Sequence, residues 1–233
     1  TGICEVQMEH LTKTICGLTV NLDTLITMWS VMAFLIIFSL FATVKMSIFP
    51  TKLQAVAEAI VGMFVNLTNS MIGGKNAKKH VPLAASLFLF IVTANLCGQL
   101  PLRMFHLSKG ELASPTNDIN LTAAMAIIVL VYYVAVGIKK KKFKFFLHEF
   151  SFVGIVMALV EILEMFTRPL SLAIRLFANI FAGEVLVSIA LSACAYFVPL
   201  PVMLFEILVA FIQATVFMML TVAYIGSAEG ESH

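Results

Sequence analysis

Residues 168–184 read RPLSLAIRLFANIFAGE, a mostly apolar run that begins at Arg168 and carries a second arginine, Arg175, near its middle. The nearest acidic residues in sequence are Glu164 and Glu184, so no carboxylate stands three or four positions away to neutralise the charge. A guanidinium stays protonated in proteins, and a charge inside a lipid bilayer is rare and costly. The run therefore predicts a membrane helix in which Arg175 has a functional task.

The composition agrees with a membrane location. Hydrophobic residues make up 61% of the 233 residues and charged residues 12%, with a mean hydropathy of +1.00. Soluble domains have about 45–50% apolar and about 25% charged residues. The net charge of +2 gives no nucleic-acid surface, and the four cysteines lack the spacing of a metal site. We expect an all-α membrane protein with no metal, no cofactor and no nucleic-acid partner.

Apolar runs of about 20 residues predict membrane-crossing helices. We expect a single domain, 1–233, with an N-terminal segment at 1–24 and about five transmembrane helices, at residues 25–44, 81–100, 121–138, 153–197 and 202–224. In residues 50–72 apolar side chains recur at helical spacing, with polar side chains between them. This pattern predicts an amphipathic helix on the membrane surface.

The last two predicted helices are interrupted by prolines. We expect a bend at Pro169 and a turn over residues 198–201, which contain Pro199 and Pro201. Both helices are longer than a direct crossing requires, so they should form a strongly tilted, near-horizontal antiparallel hairpin.

Lysines predict the orientation of the chain. They cluster after the first predicted span and after the third, the second cluster being Lys139–Lys142 and Lys144. Because positive loops stay in the cytoplasm, the N-terminus should be outside and the C-terminus cytoplasmic.

Ionisable side chains mark the predicted hairpin, and each is a functional candidate because of its cost in lipid. They are Glu161, Glu164, Arg168, Arg175, Glu184 and Glu206. At about 100° per residue, the first four share one face and Glu184 points to the opposite side. Acidic groups on two sides of a fixed positive charge indicate two aqueous paths that the charge keeps apart. The alternative for Glu164 and Arg168 is an internal salt bridge.

The final helix repeats the pattern, because Glu206, Gln213 and Tyr224 share one face. A hairpin turn near residue 197 would place Glu184 and Glu206 at similar depth. Two carboxylates close together in a low dielectric do not both ionise readily, so one is expected to hold a proton and pass it on. Gln213 would lie near the level of Arg175.

Residues 168–184 and the segment 211–224, FIQATVFMMLTVAY, closely resemble subunit a of the F-type ATP synthase. The loop 110–120, GELASPTNDIN, is similar to that of bacterial and chloroplast members. The resemblance implies a stator subunit that translocates ions along a rotating ring of c subunits. It also implies that this chain has no ATP site of its own, so it is a non-catalytic subunit of an enzyme complex.

The resemblance also implies roles for single residues. Arg175 matches the essential arginine that separates two half-channels and faces the carboxylate of each c subunit. Asn179 and Gln213 match its polar neighbours, and Glu184 and Glu206 match a pair in the half-channel on the source side. Further residues of the implied ion path are Glu161 and Ser171 at the cytoplasmic exit and, as weaker candidates, Asp118, Asn95, Gln99, Glu164, Arg168 and Tyr224.

The implied partners are the c-ring, subunit b of the stator stalk, the remaining subunits of the complex and membrane lipid. The transported ion is H⁺ or Na⁺, and the expected location is a bacterial plasma membrane, with a thylakoid or mitochondrial inner membrane as the alternative. Two rival classes have other signatures. A secondary transporter usually has internal repeats, and an assembly scaffold would tolerate loss of the Arg175 charge.

Overall fold

The structure, a computed structural model, describes residues 12–15, 18–44, 52–73, 76–99, 115–141, 152–193 and 199–229. Two short strands, β1 Thr12–Ile15 and β2 Leu18–Asn21, pair antiparallel within the segment predicted only as an N-terminus. The helices of this described part are α1 Leu22–Thr43, α2 Lys52–Ile72, α3 Ala77–Gln99, α4 Ile119–Lys141, α5 Phe152–Ala193 and α6 Pro199–Glu229. A 3₁₀ turn, Pro115–Asn117, precedes α4.

All six helices of the described residues are long and apolar enough to cross a membrane. The prediction of an all-α membrane protein is thereby confirmed, apart from the small β-hairpin. Helix α2 has the lowest mean hydropathy of the six, 1.4, against 1.8 to 2.4 for the others. Its predicted position on the membrane surface stays a prediction.

The ends of several helices follow from local chemistry. Helix α2 ends at Gly73, whose φ of 73° is the left-handed conformation that glycine adopts at low cost, and its N–H bonds to the carbonyl oxygen of Asn69 at 3.0 Å. Asp118 caps α4, because its Oδ1 accepts the backbone N–H of Asn120 at 2.9 Å.

Helix α6 differs from its predicted bounds of 202–224. It begins at Pro199, because the first turn of a helix does not need the backbone N–H groups that proline lacks. The expected turn at 198–201 is therefore wrong for residues 199–201, and residue 198 lies outside the described part. At the other end the helix continues past Tyr224 to Glu229.

Helix α6 is the centre of the bundle, since it packs against α2, α3, α4 and α5. Its Phe217, Met218 and Val222 are almost fully buried in one cluster with Phe64 of α2 and Ile91 of α3. Helix α1 lies at the edge and exposes much of its apolar surface. Such surface suits lipid, in which apolar side chains need no cover.

Helices α5 and α6 are too long to cross a membrane upright. Their 42 and 31 residues correspond to about 63 Å and about 46 Å at about 1.5 Å per residue. A hydrocarbon core is about 30 Å thick, so both helices must tilt strongly to stay within it. Helix α5 is continuous through Pro169, and the bend expected there stays a prediction.

Replacing Phe64 with alanine should weaken the bundle, because this ring is 0% exposed and stacks edge-on against Phe88 at 5.1 Å. We expect a loss of unfolding free energy of about 3 kcal/mol, the lower end for a buried aromatic side chain. Phe41→Ala is the matched control, since Phe41 is 72% exposed. Titration with SDS in mixed micelles measures both, and equal effects would contradict the packing described above.

Candidate functional site in the α5–α6 hairpin

Three contacts pair α5 with α6 in opposite directions along the chain. Gly183 lies against Glu206, Asn179 bonds to Gln213, and Arg168 lies over the ring of Tyr224. Across these three contacts the residue numbers fall along α5 and rise along α6. The two helices are therefore antiparallel and form the expected hairpin. The three residues of α6 all face α5, as their spacing predicts.

Arg175 lies between the second and third of these contacts along α5, and its side chain is exposed. By helical period its face is shared by Ala178 and Ala182, which are exposed too. Among the described residues no hydrogen bond or ion pair reaches its guanidinium. Ser171, on the same face one turn before, is exposed as well. The fold thus leaves a fixed positive charge exposed on a face of small side chains.

Behind that surface, an amide pair joins the two helices. Asn179 Nδ2 donates to Gln213 Oε1 at 3.1 Å, and Gln213 is only 3% exposed. The Nε2 of Gln213 has no hydrogen-bond partner among the described residues. A buried donor of this kind costs free energy unless a group or a water accepts from it. The Nε2 of Gln213 is therefore available to bind such a group, one helical turn beyond Arg175.

Nearer the hairpin turn, Glu206 is buried, with 7% of its surface exposed, against the backbone of α5. A methyl group at Gly183 would collide with Oε1 of this carboxylate and lie 3.1 Å from its Cδ. A cavity of about 220 Å³ adjoins the two residues and is also lined by Asn179, Ala182 and Phe205. Since one liquid water occupies about 30 Å³, this space is large enough for several waters.

At the far end of the hairpin, Arg168 is held by two partners. It forms an ion pair with Glu164, one turn before it on α5, and its guanidinium lies 5.0 Å from the centre of the Tyr224 ring. The ion pair with Glu164 is the internal salt bridge considered above as the alternative for these two residues. The contact with Tyr224 holds α5 against α6. Arg168 therefore differs from Arg175, because among the described residues only Arg168 has partners for its charge.

A polar network occupies the end of the bundle where α3 finishes and α4 begins. Thr116 Oγ1 donates to Asn95 Oδ1 at 2.6 Å inside the fold, and the Nδ2 of Asn95 has no hydrogen-bond partner among the described residues. Asp118 accepts from Asn21 Nδ2 at 3.0 Å as well as capping α4. The 3₁₀ turn Pro115–Asn117, between α3 and α4, packs against α1, α3, α4 and α5.

The structure thus brings together some of the predicted residues and not others. Thr116 and Asn21 were missed, although the run of Thr, Asn and Asp at 116–118 was a signal for polar partners. Asn95 and Asp118 lie in the network just described, apart from the three hairpin contacts. The side chains of Glu161, Glu184 and Gln99 lie outside the described residues, but the backbone of Glu184 follows Gly183 and so shares the level of Glu206.

Fold and site define a multi-pass helical membrane protein with ionisable groups inside its apolar helices. Residues 25–226 match the family model described as ATP synthase A chain. The ATP synthase subunit a of Gloeobacter violaceus is 44% identical over 220 residues, which cover 94% of this chain and 89% of the relative. This chain belongs to the ATP synthase A chain family, which makes it a membrane subunit of an ion-transporting ATP synthase.

Chloroplast relatives match over nearly the whole chain. The chloroplastic ATP synthase subunit a of Stigeoclonium helveticum is 36% identical over 233 residues, covering 99% of this chain and 94% of the relative. That of Oedogonium cardiacum is 37% identical over 226 residues, covering 97% and 89%. Family membership decides against the two rival classes, the secondary transporter and the scaffold.

Gly183→Ala should displace the Glu206 carboxylate, because the added methyl group has no room beside it. We expect ATP-driven ion pumping to fall several-fold, measured by dye quenching in inverted membrane vesicles. Gly62→Ala is the control, since nothing lies within 4 Å of a methyl group there. Unchanged pumping by Gly183→Ala at normal expression would mean that the position of Glu206 is unimportant.

Proposed function

We propose that this chain is the ion-translocating stator subunit of its ATP synthase, with two aqueous half-channels that Arg175 separates. H⁺ or Na⁺ would pass from one half-channel to the other on a carboxylate of the c-ring, and the passage would drive rotation. The observation that carries the proposal is the exposed Arg175, which has no hydrogen bond or ion pair among the described residues.

The cost of that position argues for a partner. Arginine at the centre of a membrane helix costs about 2.5–3.5 kcal/mol even on the lowest scales. No described residue of this chain offsets the charge. A carboxylate on a neighbouring subunit would do so, and a guanidinium attracts it without itself carrying a proton. Each arriving carboxylate would have to release its ion before it could pair with Arg175.

The surface around Arg175 supports a moving partner. Small side chains share its exposed face, with Ser171 one turn before and Ala178 and Ala182 after it. Small residues let another helix approach closely. A partner helix could therefore slide along the hairpin without breaking hydrogen bonds.

The half-channel on the source side would run through the cavity beside Glu206. Glu184 lies at the same level, and the amide pair of Asn179 and Gln213 leads from there towards Arg175. The free Nε2 of Gln213 could hold a water on this path. Asn95 and Asp118 stay candidates for the inlet, together with Gln99.

The second half-channel would open near Glu161, on the other side of Arg175 along α5. Glu164, Arg168 and Tyr224 would form its wall rather than its path, because the charges of Glu164 and Arg168 are paired and Arg168 lies over the Tyr224 ring. Subunit b and the remaining subunits would hold this chain fixed while the ring turns. We place the chain in a bacterial plasma membrane, N-terminus outside and C-terminus cytoplasmic, with a thylakoid membrane as the alternative that the chloroplast relatives favour.

Arg175→Ala should leave the complex assembled and abolish gradient-driven ATP synthesis in reconstituted vesicles, because ions could then cross without turning the ring. Arg168→Gln is the matched control, since it also removes an arginine of α5 but one with partners inside the chain. We expect this control to keep part of its synthesis. Normal ATP synthesis by the Arg175→Ala variant would contradict the proposal that Arg175 separates two half-channels.

Replacing Glu184 and Glu206 together with glutamine should slow ion flux through the complex by less than the product of the two single effects. The two backbones lie at one level, so each carboxylate should depend on the other for passing the proton. Flux is measured as gradient-driven uptake after removal of the catalytic head. Strictly independent effects would contradict a coupled pair.

A further inference from the structure

A buried ionisable cluster lies at the C-terminal end of α6, on the side that faces α3 and α4 and not in the α5–α6 hairpin. His80 of α3 is placed between two partners: its Nδ1 lies 3.0 Å from the hydroxyl oxygen of Tyr132 on α4, and its Nε2 lies 3.2 Å from Glu229 Oε1 on α6. The side chains of His80 and Glu229 are each 5% exposed. Three helices thus meet on one imidazole.

The carboxylate of Glu229 is incompletely satisfied in this cluster. Its Oε2 is buried without a hydrogen bond among the described residues, and the nearest cation, Lys140 Nζ of α4, lies 4.0 Å away and is partly exposed. A buried carboxylate needs both hydrogen bonds and an opposite charge to be stable. A protonated His80 would supply that charge through a contact that already exists.

The geometry accepts a proton without breaking a contact. When the imidazole is neutral, the Tyr132 hydroxyl donates to Nδ1 and the Nε2–H donates to Glu229. When a proton from the aqueous phase binds Nδ1, that nitrogen donates to the Tyr132 oxygen and the hydroxyl hydrogen turns away. Histidine is the side chain whose charge ordinarily changes between about pH 5 and pH 8.

The neighbouring helices add no competing charge among the described residues. Helix α2 presents the Met71 carbonyl oxygen at 3.5 Å and Ile72 at 3.6 Å from a methyl group built on Gly226 of α6. On α5, Glu164 is level with this end of α6 and is already paired with Arg168. Among the described residues, the titratable groups with a contact to the imidazole or its carboxylate partner are therefore Tyr132, Lys140 and Glu229.

We propose that His80, Tyr132 and Glu229 form a proton-binding site, separate from the Arg175 site, that fixes the end of α6 when it is occupied. Its ligand is a proton from the side that carries the lysine-rich ends, which under the proposed function is the cytoplasm. Occupation converts the hydrogen bond between a neutral imidazole and the Glu229 carboxylate into an ion pair between two charged groups, and this ties α6 to α3 more strongly. His80 acts here as a positioning residue for the helix that carries Gln213 and Glu206.

Hydrogen exchange of the α6 end in the whole complex tests this site. With exchange corrected for its intrinsic pH dependence, the amides of residues 225–229 should open about fivefold less often at pH 6 than at pH 8, a modest coupling. His80→Gln, which keeps polar atoms but cannot become charged, should remove the difference. Lys78→Gln, an exposed change two residues away on α3, should keep it.

If the complex with His80→Gln does not assemble, a second variant tests the proposal. Tyr132→Phe keeps the ring that packs at 5.8 Å from the imidazole and removes only the hydroxyl partner of Nδ1, so it should shift the midpoint of the pH dependence. A pH difference that persists in His80→Gln, or an unchanged midpoint in Tyr132→Phe, would overturn the proposal, as would the absence of the pH difference in the wild type. Arg175→Ala should keep the difference, which distinguishes this site from the proposed channel.

Discussion

A permanent charge in lipid is the constraint on which the rest of this structure depends. Arg175 lies on the outer side of α5 and has no partner within the described chain. The hydrocarbon phase offers neither screening nor hydrogen bonds, so such a surface is stable only when another polar group covers it. The chain is therefore physically incomplete alone, which agrees with its membership of a family of ATP synthase subunits.

The bundle behind the hairpin serves to hold that surface in place. Helix α6 buries apolar side chains against α2, α3 and α4, and its Glu206, Gln213 and Tyr224 face α5. Hydrophobic burial drives little association once helices are in lipid, so close packing and hydrogen bonds must do so. Gly183 against Glu206, the Asn179–Gln213 bond and Arg168 over Tyr224 are contacts of this kind, one at each level of the hairpin.

Much of this could be predicted from the sequence, because lipid limits the possible structures. Apolar length gave the helices to within a few residues, and helical period gave the face shared by Glu206, Gln213 and Tyr224. The start of α6 at Pro199 was missed, because proline both begins and breaks helices. The partners of Asn95 and His80 were missed as well. His80 and Glu229 are 149 residues apart, and no local pattern signals such a contact.

Helix α6 also explains how two distant sites can belong to one mechanism. Glu206 and Glu229 lie on the same continuous helix, so a shift of its end along the axis moves both by the same amount. Twenty-three residues separate them in sequence, about 35 Å at about 1.5 Å per residue. Gly183 leaves almost no clearance for the Glu206 carboxylate, so even a small axial shift would change the contacts of that carboxylate. A stronger contact at His80 would therefore act on the channel through position alone, without any charge travelling between the two sites.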